Sequence, residues 1–192
     1  MGKSRLEAFS DGVIAIIITI MVLELKVPHG AALENLFELA PIFFSYVLSF
    51  IYVGTMWNNH HHLFHTVHKV TGGIMWANLH LLFWLSLLPF TTSWMGENFL
   101  AKWPMFLYAF NMFALAMAHA ILVFRIKAVH RGGSDVDRAI GSDFKRKISL
   151  VANVCAVVSA FFAPLLCMAL TVAVALIWLI PDSRIEQPSS SH

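Results

Sequence analysis

An uncharged run near the end of the chain sets the strongest limit on its fold. Residues 148–180 contain no Asp, Glu, Lys or Arg. As one helix, these 33 residues would reach about 50 Å, whereas the hydrocarbon core of a membrane is about 30 Å thick. Pro164 lies near the middle of the run, where proline interrupts a helix. The run therefore predicts a hairpin of two short membrane spans.

Further apolar segments of about 20 residues, the length that crosses a bilayer, precede this hairpin. They cover residues 9–27, 39–59, 74–93 and 104–124. Hydrophobic residues make up 58% of the chain and charged ones 12%, and a soluble domain, with about 25% charged residues, could not hide so much apolar surface. We predict an all-α polytopic membrane protein with six transmembrane helices within residues 1–181 and a short polar tail at 182–192.

The basic residues predict the orientation, because Lys and Arg accumulate in cytoplasmic loops. With six spans, the side that holds both termini carries Lys3, Arg5, Lys69, Arg125, Lys127, Arg131, Arg138, Lys145, Arg146, Lys147 and Arg184, and the other side carries Lys26 and Lys102. Both termini are therefore predicted to be cytoplasmic. A five-span alternative would place the tail outside. The net charge of +2 gives no reason to expect a nucleic-acid partner.

The first span carries a continuous apolar seam along one helical face. At about 100° per residue, the seam is formed by Phe9, Gly12, Ile16, Ile20, Leu23 and Val27, with Thr19 at its border. In one interpretation the seam packs on another helix of the same subunit. In the other, copies of the seam from several subunits enclose a hydrophobic constriction that gates by dewetting. Periodicity alone does not separate the two.

Two polar residues near the start of this span point away from the seam. Ser10 and Asp11 lie about 120° and 140° from it, and an ionisable group there needs a partner. The second span ends at Trp57 and His60 and the third begins near Asn78, so Asp11, His60 and Asn78 are predicted to form a polar network at one depth. Simple capping of the helix by Ser10 and Asp11 is the alternative.

These residues also carry a family resemblance. The first span opens with R-x-x-x-F-S-D, formed by Arg5, Phe9, Ser10 and Asp11. Three further motifs follow in order: W-x-x-H-x-x-L-F at Trp57, His60, Leu63 and Phe64, A-N-L at Asn78, and L-P-F at Pro89. The chain resembles the transmembrane protein 175 family, which comprises the lysosomal potassium channels and their prokaryotic relatives. The motifs cover the first three spans, about half of the chain.

The resemblance implies a function for the seam. In that family the first helix lines a central pore without a P-loop filter, so the constriction would be formed by Ile16, Ile20 and Leu23, with Thr19 linked to ion preference. A chain with a single six-span repeat implies a homotetramer. The resemblance also implies potassium as the permeant ion, no cofactor, and the bacterial cytoplasmic membrane as the location. No T-V-G-Y-G filter occurs in the sequence, so ion choice would need another device.

A histidine-rich segment at residues 60–68 provides the main rival interpretation. His61, His65 and His68 have a spacing that could place their imidazoles on one helical face for a transition metal, although no carboxylate or cysteine stands nearby to complete the ligands. We therefore predict no metal site. A secondary transporter of protons or metal ions, working through this segment and Asp11, is the alternative function. A non-conducting scaffold is a third, whereas no enzyme motif occurs.

Overall fold

The computed structural model describes residues 2–130 and 143–179, and all regular secondary structure in these ranges is helical. Its helices, numbered in chain order, are α1 Lys3–Leu23, α2 Leu33–Phe37, α3 Ala40–His65, α4 Gly72–Ser86, α5 Leu88–Glu97, α6 Lys102–Val129, α7 Asp143–Ser159 and α8 Pro164–Leu179. The predicted tail at 182–192 lies outside the described residues. The predicted all-α architecture is confirmed.

Long apolar helices make up most of the described chain. Within the described ranges, four segments have the length and hydropathy to cross a bilayer, namely α1, α3, α4 together with α5, and α6. Both α7 and α8 are shorter, with 17 and 16 residues. The predicted hairpin is present as this pair: the chain turns just before Pro164, and the two helices pack against each other.

Two helix boundaries differ from the prediction. Helix α1 begins at Lys3 and ends at Leu23, so it starts one and a half turns earlier than the apolar run and excludes Val27. Helix α3 continues into the histidine-rich segment as far as His65, six residues beyond the end of the predicted span at 59. Neither Gly nor Pro occurs between residues 55 and 71, so no residue that breaks a helix stands before its observed end.

The third predicted span, 74–93, is interrupted. Helix α4 ends at Ser86, Leu87 separates the two helices, and α5 starts at Leu88 with Pro89 in its first turn. Proline has no backbone N–H to donate and its ring clashes with the preceding turn, so a helix commonly restarts at this position. The third span is thus two short helices that together run from residue 72 to residue 97.

Helix α6 is the central helix of the subunit. It packs against α4, α5, α7 and α8, and its buried side chains include Met105, Leu115, Leu122 and Ile126, which have at most 1% exposed surface. The main neighbours of α1 among the described helices are α3, α4 and α5. Helix α1 is therefore peripheral in the described part of the subunit, with one of its sides exposed.

Candidate functional site

Helix α1 has a buried face and an exposed face. The buried face is formed by Leu6, Ser10, Ile14, Ile17 and Met21, none of which has more than 3% of its surface exposed. On the seam, Phe9 is 50% exposed, Ile16 58%, Ile20 41% and Leu23 80%. In the described part of the chain these seam side chains are therefore largely exposed, which disfavours the interpretation in which the seam packs on another helix of the same subunit.

Small and polar residues interrupt the exposed seam. Gly12 is exposed, and a Cβ added there would meet no atom within 4 Å. Thr19 is exposed, and its hydroxyl donates to the Ile16 carbonyl oxygen at 2.8 Å. That bond satisfies the hydroxyl hydrogen within the helix and leaves the oxygen lone pairs of Thr19 free to accept from outside.

A buried polar chain joins the opposite face of α1 to α4 and α3. The side-chain amide of Asn78 donates to Ser10 Oγ at 2.9 Å, and the Ser10 hydroxyl donates to the Leu6 carbonyl at 2.9 Å. The oxygen of the same amide lies 2.7 Å from His60 Nε2. Because an amide oxygen only accepts, Nε2 is the protonated ring nitrogen. Ser10, His60 and Asn78 have at most 1% of their surface exposed.

Asp11 lies apart from this chain. Its Oδ1 accepts a hydrogen bond from the Trp57 indole N–H at 2.9 Å, and both residues are exposed at the subunit surface. His60 therefore bonds to Asn78, and the single network predicted for Asp11, His60 and Asn78 is instead two separate contacts. Ser10 is the residue of α1 that enters the buried chain.

The start of α1 makes one further contact, with the end of α3. Arg5 is exposed, and the Lys3 ammonium donates to the His65 carbonyl oxygen at 3.1 Å, which ties the start of α1 to the end of α3. The side chain of Phe9 leaves the subunit on the same side as Ile16. Arg5 and Phe9 of the predicted motif thus face outward, whereas Ser10 faces inward.

The three histidines proposed as metal candidates do not come together. His61 and His65 have their Nε2 atoms 3.0 Å apart. His68 instead lies beside His130, whose Nε2 accepts from the backbone N–H groups of His68 and Lys69 at 3.1 and 3.3 Å. Within the two described ranges, no group of three His, Cys, Asp or Glu side chains is placed to hold a metal ion.

Acidic residues lie at the far end of the seam. Glu24 accepts a hydrogen bond from the Ser93 hydroxyl at 3.2 Å, and Glu97 pairs with Lys26. Together with Ile20 these groups border an open cleft of about 520 Å³ between α1, α4 and α5. Sequence reasoning missed Ser93. The helix is interrupted at Leu87, so the direction in which a side chain of α5 points cannot be calculated by continuing the 100° steps of α4.

The chain is similar to known channels over most of its length. A family model described as the endosomal/lysosomal potassium channel TMEM175 matches residues 5–89. A protein named as a potassium channel in Chryseobacterium sp. is 52% identical over 187 residues, which are 97% of each chain. The crystal structure of a lysosomal potassium-selective channel TMEM175 homolog from Chamaesiphon minutus has a TM-score of 0.80 at 27% identity, covering 92% of this chain and 95% of that one.

An animal relative matches a shorter region. The endosomal/lysosomal proton channel TMEM175 of Gallus gallus is 41% identical over 83 residues, which are 37% of this chain and 17% of its own length. The region matched by the family model begins at Arg5 and ends at Pro89, the first and last of the motif residues named above. The likeness therefore includes both the exposed seam and the buried polar chain.

Proposed function

This chain belongs to the TMEM175 family, and from that membership we propose that it is a potassium-permeable cation channel whose pore is lined by α1. Its relatives are channels and not enzymes, and its long apolar helices make it an integral membrane protein. The proposal includes a hydrophobic constriction at Ile16, Ile20 and Leu23 and no P-loop filter.

One observation carries this proposal, namely the exposure of the seam on α1. Its apolar side chains face away from the subunit, so in the membrane they contact either lipid or copies of themselves. Along the helix axis, Ile16, Ile20 and Leu23 lie between two exposed acids, Asp11 and Glu24, which are 13 residues or about 20 Å apart. A narrow apolar segment between two acidic, hydrated ends suits a cation pore that closes by dewetting.

The assembly that fits this pore is a homotetramer with six spans per subunit. The pair α7 and α8 would supply the fifth and sixth spans. Helix α8 has 16 residues and extends about 24 Å at about 1.5 Å per residue, close to the hydrocarbon thickness. The uncharged part of α7, residues 148–159, is shorter and begins directly after the basic residues at the start of that helix. Both termini would lie in the cytoplasm of a bacterial cell. The polar chain of Ser10, His60 and Asn78 would fix the rotational orientation of α1 about its own axis, and so determine which side chains face the pore.

Ion choice in this pore is assigned to Thr19 and to the acidic ends. The Thr19 oxygen can accept from water or contact a partly dehydrated ion, whereas Ile16 and Ile20 offer no ligand. Asp11 and Glu24 raise the local cation concentration at either end. Together these groups favour monovalent cations over anions.

Ion flux in liposomes tests the proposal. Purified protein under a potassium gradient is expected to give fast, uncoupled potassium flux. Ile16→Asn, Ile20→Asn or Leu23→Asn should raise the basal flux, because a polar ring keeps the constriction wet. Val22→Asn is the matched control, since Val22 is 45% exposed but lies about 120° from Ile16 around the helix; its flux should equal that of the wild type.

The same liposomes test the rival functions. Saturable exchange coupled to a proton or metal gradient would indicate a secondary transporter. A flux of protons without potassium would favour the activity named for the animal relatives. If no flux occurs, or if all three seam variants behave like Val22→Asn, the assignment of the pore to α1 is wrong.

A further inference from the structure

A cavity inside the subunit lies apart from α1 and from the seam. Its volume is about 190 Å³, and it is bounded by α3, α6, α7 and α8. Its wall includes Met56 and Asn59 of α3, within a turn of His60, and therefore lies toward the end of the bundle where α3 ends. That is the end where the basic residues accumulate, so the cavity is level with the inner leaflet in the predicted orientation.

The interior of this cavity holds two polar nitrogens without partners. Asn153 Nδ2 and His119 Nε2 are both buried, and neither has a hydrogen-bond partner among the described residues. Asn153 itself has only 2% of its surface exposed. The Asn153 amide group can only donate from this nitrogen, so what is missing beside it is an acceptor. An unmade hydrogen bond at a buried donor is costly, so a bound molecule with an acceptor oxygen would be stabilised beside this nitrogen.

The remainder of the lining is amphipathic. Arg146 and Lys147, at the start of α7, contribute positive charge, and none of the described side chains that line the cavity is a carboxylate. Leu150 and Val174 supply apolar wall, and Trp178, whose indole N–H donates to Ser149 Oγ at 2.9 Å, closes one side. A cation or a metal ion would be repelled by this charge. A molecule with an anionic group, acceptor oxygens and an apolar chain matches every part of the lining.

We propose that this cavity is a binding site for an anionic phospholipid of the inner leaflet. The phosphate interacts with the positive charge of Arg146 and Lys147, and a headgroup or ester oxygen accepts from Asn153. The apolar chain lies against the wall formed by Leu150 and Val174. Bound lipid of this kind links α7 and α8 to α3 and α6, and so stabilises the hairpin on the rest of the subunit.

Thermal unfolding of the full-length protein in detergent tests this site. The Tm is followed during titration with dioleoylphosphatidylglycerol, with dioleoylphosphatidylcholine, and with sodium phosphate, and native mass spectrometry counts the bound lipids. Wild-type protein is expected to show a saturable rise in Tm with phosphatidylglycerol and one retained lipid per chain. Phosphatidylcholine and free phosphate should not reproduce that rise.

Two variants and one control locate the effect. Asn153→Leu should abolish the rise without lowering the Tm measured in the absence of lipid, because leucine leaves no unpaired donor. Lys147→Gln, at an exposed position where folding is undisturbed, should weaken the affinity about fivefold. Lys102→Gln removes the same charge at the opposite end of α6, beside Trp103, and should bind as the wild type does.

Four outcomes would overturn the proposal. They are an equal rise with phosphatidylcholine, an equal rise with phosphate alone, full retention of the rise in Asn153→Leu, and a loss in Lys102→Gln as large as that in Lys147→Gln. None of these measurements uses ion flux, so the lipid site and the channel function can fail independently.

Discussion

At the scale of single residues, Asn78 is the side chain on which the packing of α1 most depends. Its amide bonds to Ser10 on one side and to His60 on the other, in a site with no exposed surface. Asn78→Leu should lower the free energy of unfolding by about 1–3 kcal/mol, since two buried polar groups lose their partner. Thermal or denaturant unfolding of the purified protein measures this loss.

Asn111 provides a matched control for that substitution. It is also a buried asparagine on a membrane helix, but its Oδ1 has no partner in the described structure and its amide reaches Thr91 only at 3.3 Å. Asn111→Leu should therefore cost clearly less than Asn78→Leu. Equal losses would mean that the volume change, and not the hydrogen bonds, controls stability.

The difference between Ser10 and Asp11 shows what the sequence can and cannot predict about a site. The positions of His60 and Asn78 along their spans correctly predicted that both lie at the same depth as Ser10 and Asp11. Neighbouring residues on a helix differ by about 100° in direction, and both are polar, so neither depth nor polarity decides which one enters the bundle. Only the packing of α1 on α3 and α4 places Ser10 inside and Asp11 beside Trp57.

At the scale of helices, the approach of α5 to α3 depends on a glycine. A Cβ added to Gly96 would lie 2.9 Å from the Ile42 Cα, so any side chain must push the two helices apart. Small residues at helix contacts permit such closeness in membranes. Gly96→Ala should destabilise the protein by about 1–3 kcal/mol through overpacking, as measured by thermal unfolding.

Gly54 of α3 is the control for this effect. A Cβ there meets no atom within 4 Å, and alanine favours a helix over glycine by about 1 kcal/mol. Gly54→Ala should therefore leave the Tm unchanged or raise it. If Gly96→Ala behaves in the same way, the contact between α3 and α5 is looser than the structure indicates.

Helix existence followed from the sequence more reliably than helix ends did. Long apolar runs identified α1, α3 and α6, and Pro164 identified the hairpin of α7 and α8. Helix ends have a weaker signal in the sequence. Polar residues such as His61 and His65 are tolerated where a helix leaves the hydrocarbon, so hydropathy does not mark the end of α3. Pro89 was read as part of one span, although its missing N–H allows α5 to restart.

At the scale of the whole molecule, the seam predicts contact between copies of α1. In a background with Cys155→Ser and Cys167→Ala, Ile20→Cys should form disulfide-linked dimers under mild oxidation, since a constriction brings equivalent residues within bonding range. Ile17→Cys should form none, because Ile17 is 3% exposed and faces its own subunit. Denaturing electrophoresis reports the dimers, and native mass spectrometry should show four chains of 21.5 kDa.

Two results would contradict this arrangement. One is a monomeric native mass. The other is a tetramer in which Ile17→Cys cross-links as readily as Ile20→Cys, which would place another face of α1 at the axis. The membership of the chain in its family, predicted from its motifs and confirmed by relatives that span nearly its whole length, would stand in either case.

The outward-facing seam of α1 also bears on how a cell can make this protein safely. A newly inserted subunit rests with this apolar strip against lipid tails, which carries no desolvation penalty. In the proposed tetramer each subunit would supply only one wall of the pore, so chains that have not met their partners would offer ions no passage. Synthesis can then run ahead of assembly without discharging the membrane potential, and leakage begins only when a ring has closed.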